Sequence, residues 1–198
     1  MKVVVIGTGT IGAAVADALS SNHEVVRVSR HGPIKGDMED RSSLEGLFAS
    51  VKDVDAVAVC AGVAAFKPLA QLTDEDFALG LRSKLMGQVK VVQVASRHLK
   101  DGGSITLSGG ILAHLPQPGG AAYSLVNAAL EGFVVGAAIE MPRGIRLNLV
   151  SPPWMSETLK SMGQDPANGI PAAKCARAYV SLIEGRQNGE IVDARKFA

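Results

Sequence analysis

The stretch KVVVIGTGTIG, Lys2 to Gly12, followed by the alanine-rich AAVADALS, decides the fold. Val3 to Ile6 is an unbroken run of β-branched residues, the composition of a strand buried on both faces of a parallel sheet. Gly7, Gly9 and Gly12 then turn the chain tightly, and the N–H groups of the following helix point at an anion. That is the geometry of a phosphate cradle, and it predicts Gly7, Gly9, Thr10, Ile11 and Gly12 as contacts to a dinucleotide. Glycine-rich turns of this spacing also occur without a ligand, so context decides. The glycines follow a strand directly, and a second apolar strand, Glu24 to Val28, arrives within the roughly 30 residues of a dinucleotide-binding βαβ unit.

The end of that second strand selects the cofactor. An acidic residue there hydrogen-bonds a ribose 2′-hydroxyl, whereas an arginine holds a 2′-phosphate. Ser29, Arg30 and His31 stand at this point with no carboxylate, and Glu24 lies at the wrong end of the strand. NADP(H) is therefore expected ahead of NAD(H), with Ser29 and Arg30 as contacts.

Size and composition fit one α/β domain over residues 1–198. Of the 198 residues, 47% are hydrophobic and 20% charged, and the net charge is +1, which argues against a disordered chain and against a polyanion-binding surface. No basic stripe interleaved with aromatics suggests a nucleic-acid partner. Cys60 sits inside an apolar run, so it and Cys175 are expected to be reduced thiols. The four histidines show no ligand spacing, and no metal site is expected. The first strand starts at once, which leaves no room for a signal peptide, and no apolar run of membrane-spanning length stands out. A cytoplasmic protein without membrane partners is the expectation.

Strand and helix patterns alternate along the rest of the chain. The first helix is predicted over Ala13–Ser20, a short third strand over Ile34–Asp37, and a helix capped by Asp40 through Phe48. Ala56 to Ala61 reads as a fourth strand. A helix capped at Thr73 runs to about Leu99, with Phe77, Leu81, Leu85, Val89 and Val92 as its apolar stripe. Further elements are a strand over Gly103–Ser108, a helix over Ala121–Met141, a strand over Arg146–Val150, a helix over Ala172–Glu184 and a last strand over Glu190–Asp193. The Gly- and Pro-containing segment from Thr158 to Pro171 reads as a loop over a ligand. Regular alternation predicts a doubly wound, three-layer Rossmann sheet of about seven parallel strands.

The stretch AAYSLVNAALEGFVVGAAIEMPRGIRLNLVSPP, residues 121–153, resembles the catalytic helix and following strand of the short-chain dehydrogenase/reductase family, and the likeness extends over essentially the whole chain. Cys60-Ala61-Gly62 resembles the family's Asn-Ala-Gly, and Asp37, with Met38 after it, stands where the adenine-contacting Asp stands. The resemblance implies hydride transfer between a nicotinamide and a small carbonyl or alcohol, with Tyr123 as general acid or base. It also implies a homodimer or homotetramer paired through the two long helices. Pro152, Trp154 and Ser156 or Thr158 fall where the family contacts the nicotinamide end, and Trp154, Met155, Leu112 and Leu115 are expected as apolar pocket walls.

Departures from the family pattern bear on the chemistry. Four residues after Tyr123, where the family has Lys, stands Asn127, and the earlier helix carries Lys84 where the family has Asn. Asn and Lys are thus expected to be exchanged between neighbouring helices. Lys84 would bring the ammonium to Tyr123, and Asn127 would take the hydrogen-bonding role. Ser108 is the expected substrate-orienting serine, with Gly109 as the competing register. A dinucleotide-binding sensor that has lost catalysis is the alternative these departures leave open.

Overall fold

The computed structural model describes residues 1–197. Seven strands, β1 (Lys2–Ile6), β2 (Glu24–Ser29), β3 (Ile34–Lys35), β4 (Ala56–Val59), β5 (Ser104–Ser108), β6 (Arg146–Ser151) and β7 (Ile191–Asp193), form one sheet in the order β3-β2-β1-β4-β5-β6-β7. Every pairing is parallel. The order reverses direction between β1 and β4, and a doubly wound sheet binds its ligand outside the strand ends at such a switch point.

Side-chain alternation along the strands builds a core on each face. Val4, Ile6, Val57, Val59, Ile105, Leu107, Leu147 and Leu149 pack against α2 (Arg41–Ser50), α4 (Gly87–Ala95) and α5 (Ala121–Ala138). Val3, Val5, Ala56, Ala58 and Val150 pack against α1 (Thr10–Leu19) and α7 (Ala172–Glu184). Between these helices lie α3 (Asp74–Gly80) and the short α6 (Ser156–Ser161). Caps follow local chemistry: the Asp40 carboxylate accepts from Ser42 N, and Thr73 and Asp76 form a reciprocal capping box at the head of α3.

Where the structure departs from the sequence expectations, it does so at the site. The helix expected from Thr73 to Leu99 is three segments: α3, six residues of π-helix over Leu81–Met86, and α4, which ends at Ala95. The wider winding breaks the apolar stripe. Leu81 is exposed, while Ser83, Lys84 and Gln88 take buried positions. The fourth strand stops at Val59 rather than Ala61, which frees Cys60–Gly62 to form a turn beside the first glycine loop. Thr158–Pro171 is not an open loop. It contains part of α6 and a 3-10 turn over Pro166–Asn168, fastened by Ser156 N to Ile170 O at 2.9 Å and Ile170 N to Trp154 O at 3.0 Å. The α5 helix, at 18 residues, is long and apolar enough to cross a membrane by length and composition, contrary to the expectation of no such run. Its Val126, Leu130 and Val134 are buried in this fold.

Candidate active site

The cradle is built by packing constraints. Gly7 has φ +96°, and a Cβ there would stand 2.8 Å from Ala61 Cβ and from the Cys60 carbonyl; a Cβ on Gly12 would stand 1.8 Å from Gly7 O. Only glycine lets β1, α1 and the Cys60–Gly62 turn close to this degree. Gly9 differs, because a Cβ there meets nothing within 4 Å. It is the N-cap of α1, has no side-chain cap, and is followed by a first turn without acidic residues. Its bare backbone therefore presents unsatisfied N–H groups outward, as a phosphate requires.

Alongside runs a groove of about 380 Å³ lined by Gly7, Thr8, Ser29, Arg30, His31, Asp37, Met38, Ala61 and Gly62 among others. Arg30 is exposed, and no carboxylate pairs with it among the described residues. Asp37 Oδ1 accepts from Glu39 N at 2.9 Å, which fixes the carboxylate at the groove. These residues fit an adenosine 2′-phosphate: a cation at the end of β2, a carboxylate at the end of β3, and an open glycine backbone between. Cys60 contributes its backbone turn, since its thiol is sunk beneath the groove, where burial pushes its pKa up to about 12.

A second cavity, of about 140 Å³, lies at the carboxyl ends of β5 and β6 and is lined by Lys84, Gly109, Gly110, Ile111, Leu112, Tyr123, Asn127, Pro152, Pro153 and Trp154. Tyr123 and Asn127 come from α5, four residues apart and so on one helix face. Lys84 comes from the π-helical turn and is only 6% exposed. Its Nζ lies 5.9 Å from the centroid of the Tyr123 ring. It donates to Ser108 O at 3.2 Å and Gly109 O at 3.1 Å. Burial lowers its pKa from 10.5 to about 8, so the ammonium persists at neutral pH and is lost just above it.

Ser108 does not join this cavity. Ile105 and Leu107 face the α4–α5 layer, so by strand alternation Ser104, Thr106 and Ser108 face α7. Ser108 Oγ donates to Val59 O at 2.5 Å and shares a 2.6 Å hydrogen bond with the Tyr179 hydroxyl on the opposite side of the sheet. Gly109 and Gly110 line the cavity instead, so no serine from the end of β5 reaches a substrate there. Met155 is likewise no pocket wall, being 3% exposed within the α1–α7 core. Leu115 borders a different cavity, with His114 and Glu131. Ser156 Oγ donates to Pro166 O at 2.9 Å, fastening the segment after β6. Leu112, Pro152 and Trp154 do line the cavity that holds Lys84 and Tyr123.

Three participants escaped the sequence reading. Gln88 is fully buried and holds the lysine's surroundings: its Nε2 donates to Lys84 O at 3.1 Å and Ser108 O at 2.9 Å, and its Oε1 accepts from Ser108 N at 2.9 Å. Its position four residues after Lys84 was the only available signal. Phe66 lies edge-on to Trp154, with centroids 5.5 Å apart, and tilted against Tyr123 at 6.4 Å. It belongs to a loop without periodicity. Gly110 is the third, and only its neighbours show why it is glycine. Among the described residues, no three His, Cys, Asp or Glu side chains cluster so as to hold a metal ion.

A Rossmann sheet with a tyrosine–lysine pair at its carboxyl edge defines a nicotinamide-dependent oxidoreductase scaffold. Residues 2–184 match a family model described as Enoyl-(Acyl carrier protein) reductase, and the chain belongs to the short-chain dehydrogenase/reductase family. Among solved structures, the protein lin1944 from Listeria innocua is 38% identical, with a TM-score of 0.92 and 98% of each chain covered. A small-chain dehydrogenase in complex with NADPH is 25% identical, with a TM-score of 0.85 over 98% of this chain and 95% of that one. Hydroxynaphthalene reductase arp2 of Aspergillus fumigatus is 32% identical over 124 residues, 60% of this chain and 45% of that protein. Carbonyl reductase (NADPH) 2 of Sus scrofa is 28% identical over 164 residues, 78% of this chain and 67% of that protein. The chain thus spans under half the length of the first of these two relatives and about two thirds of the second.

Proposed function

We propose that this oxidoreductase is an NADP(H)-dependent reductase of a small carbonyl compound, with Tyr123 as general acid and Lys84 as its electrostatic partner. The observation that carries the proposal is the convergence of Tyr123, Lys84 and Asn127 on one small cavity beside a groove that bears Arg30. A bound nicotinamide supplies or takes up the hydride. The Tyr123 hydroxyl gives its proton to the substrate oxygen as negative charge develops there. Lys84, buried and held by two backbone carbonyls, keeps a positive charge next to that hydroxyl in a setting where water screens it poorly. Arg30 offers a guanidinium to the 2′-phosphate, and the first turn of α1 offers its N–H groups to the pyrophosphate. Trp154, Leu112 and Pro153 exclude water and favour an apolar substituent on the carbonyl. NADPH in the complex of a structural relative and in the name of the porcine reductase supports the choice of cofactor.

Pairing with a second copy accompanies this reading. Leu125 and Val135 on α5, with Ile139 just past its end, stand exposed along one side, an apolar stripe that suits the homodimer or homotetramer implied by the family resemblance.

The test is consumption of NADPH with a panel of aldehydes, ketones and quinones, alongside direct NADPH binding followed by fluorescence. Turnover with at least one apolar carbonyl, and preference for NADPH over NADH, are expected. Binding without turnover across the panel would establish the sensor alternative, which the turned-away Ser108 favours. Preference for NADH would remove the role given to Arg30.

A further inference from the structure

The ladder between β4 and β5 stops one step short of where it could continue. Pairing runs from Ala56↔Ser104 to Ala58↔Thr106, in a parallel pattern that begins with Ser104 N donating to Asp55 O at 3.1 Å. The next bond of that pattern would join Ser108 N to Val59 O. Instead, Ser108 N donates to Gln88 Oε1 at 2.9 Å, and Val59 O accepts from the Ser108 hydroxyl. Gln88 Nε2 also donates to Ser108 O at 2.9 Å. Its carboxamide thus takes the donor and the acceptor that β5 turns toward β4 at this residue, as a residue of a neighbouring strand would.

Lys84 fills the gap held open in this way. A Cβ on Gly62, in the turn after β4, would lie 2.9 Å from Lys84 Cα, so the lysine's backbone stands against that turn. Its Nζ reaches the carbonyls at the freed end of β5, Ser108 O at 3.2 Å and Gly109 O at 3.1 Å. Gln88 Nε2 donates to Lys84 O at 3.1 Å as well, tying the same carboxamide to the lysine's own backbone. Gln88 is fully buried. A methionine would fill that place without the cost of dehydrating an amide, and the three partners account for the polar residue.

We infer that Gln88 is a positioning residue: by standing in for a strand at the end of β5, it keeps β5 apart from β4 and fixes the carbonyl seat of the Lys84 ammonium. This deepens the reading of Lys84 as the electrostatic partner of Tyr123 and rests on that reading for its bearing on turnover. Gln88 does not itself line the cavity, so it acts through Lys84. Without the carboxamide, the buried Ser108 N turns to Val59 O, the ladder closes by one step, and the gap at Ser108 O narrows.

The experiment follows the titration of the Lys84 side chain by NMR in the full chain grown on isotope-labelled lysine, its resonance assigned by its absence from Lys84→Met. Tyr123 is the other titratable side chain lining this cavity among the described residues, and no carboxylate does, so the midpoint reports on burial and on the carbonyl seat. The wild type is expected to titrate at about pH 8. Gln88→Met keeps the volume and removes the amide. Its Lys84 midpoint should move by about one pH unit or more, the worth of a hydrogen bond to a charged group. It moves down if the ammonium stays buried on Gly109 O alone, and up toward 10.5 if it is expelled to solvent. Gln88→Asn, one methylene too short to reach Ser108, should move it likewise and serves if the methionine variant does not fold. Leu44→Ala, a cavity in the buried face of α2, should lower stability and leave the midpoint in place. The inference is overturned if the Gln88 variants titrate as the wild type does, or if Leu44→Ala shifts the midpoint equally, because loosened packing alone would then explain the change. In carbonyl reduction, the alkaline limb should move with the midpoint. A chain that turns over no carbonyl compound, yet shows the midpoint moved in the Gln88 variants, would remove the functional reading and leave the seat assigned to Gln88.

Discussion

Replacing Lys84 by methionine keeps the length of the side chain and removes its charge, and the structure predicts opposite effects on stability and activity. Burial has brought the pKa of this lysine from 10.5 to about 8. At about 1.4 kcal/mol for each factor of ten, keeping the charged form in the cavity costs the fold about 3 kcal/mol below pH 8. The methionine variant is relieved of that cost but loses the hydrogen bonds to Ser108 O and Gly109 O. Ser108 O retains the one from Gln88 Nε2, so the loss falls mainly on Gly109 O and amounts to about 1 kcal/mol. A net gain of about 2 kcal/mol is expected at pH 7, worth about 4–8 °C in melting temperature for a chain of this size. The sign reverses in alkali. Between about pH 8 and 10.5 the unfolded chain holds the Lys84 proton that the folded chain has released, so the wild type gains stability with pH. By about pH 9.5 it should have recovered about 2 kcal/mol, which erases the variant's advantage. Urea denaturation at the two pH values, with turnover measured on the same preparations, provides the assay. A variant less stable than the wild type at pH 7, or a difference that does not change with pH, refutes the reasoning; so does retained turnover.

Other consequences can be measured as directly. Tyr123→Phe should lower kcat by about 10²–10⁴-fold, the usual worth of a placed general acid, while NADPH binding measured by fluorescence is kept. Ser108→Ala should leave turnover unchanged, because the hydroxyl faces α7, and should cost about 1–3 kcal/mol in thermal denaturation by stranding the buried Tyr179 hydroxyl. Arg30→Ala should weaken NADPH by about tenfold or more with little effect on NADH, one charge-assisted contact being lost. The pH profile of carbonyl reduction should fall above about pH 8 as Lys84 loses its proton, and Lys84→Met should abolish that limb together with the activity.

The layout of the sheet was readable because its strands are short apolar runs between glycine and proline breaks, and Gly7, Gly9 and Gly12 mark where the first one ends. Lys84 and Asn127 were readable as a pair only through the family resemblance, since nothing local distinguishes Lys84 from an exposed helix lysine. The orientation of Ser108 could not be read. The polar residues Ser104, Thr106 and Ser108 alternate with Ile105 and Leu107, but all five are buried, so the alternation puts the serine opposite the leucine without showing which of two covered faces borders the ligand. The π-helical turn was equally hidden, because a stripe spaced for regular winding passes through Leu81 and Leu85 without a break. Gln88 illustrates the same difficulty: a polar residue at an interior position acquires its meaning only once β5 supplies the backbone groups that it pairs with.

The π-helical turn makes the position of the Lys84 ammonium depend on how the helix is wound as well as on which residue it is. A regular α-helix rotates by about 100° per residue, and a π turn amounts to one residue accommodated within otherwise α-helical winding. Deleting Met86 would let the segment revert to regular winding without touching Lys84, Tyr123 or any residue that lines the cavity. α3 and α4 would keep their faces, while the residues inside the turn, Lys84 among them, would be re-spaced by a fraction of a helical turn, and the ammonium would be displaced from the cavity. Activity in this chain is therefore exposed to a change in helical phase that leaves every chemical group in place.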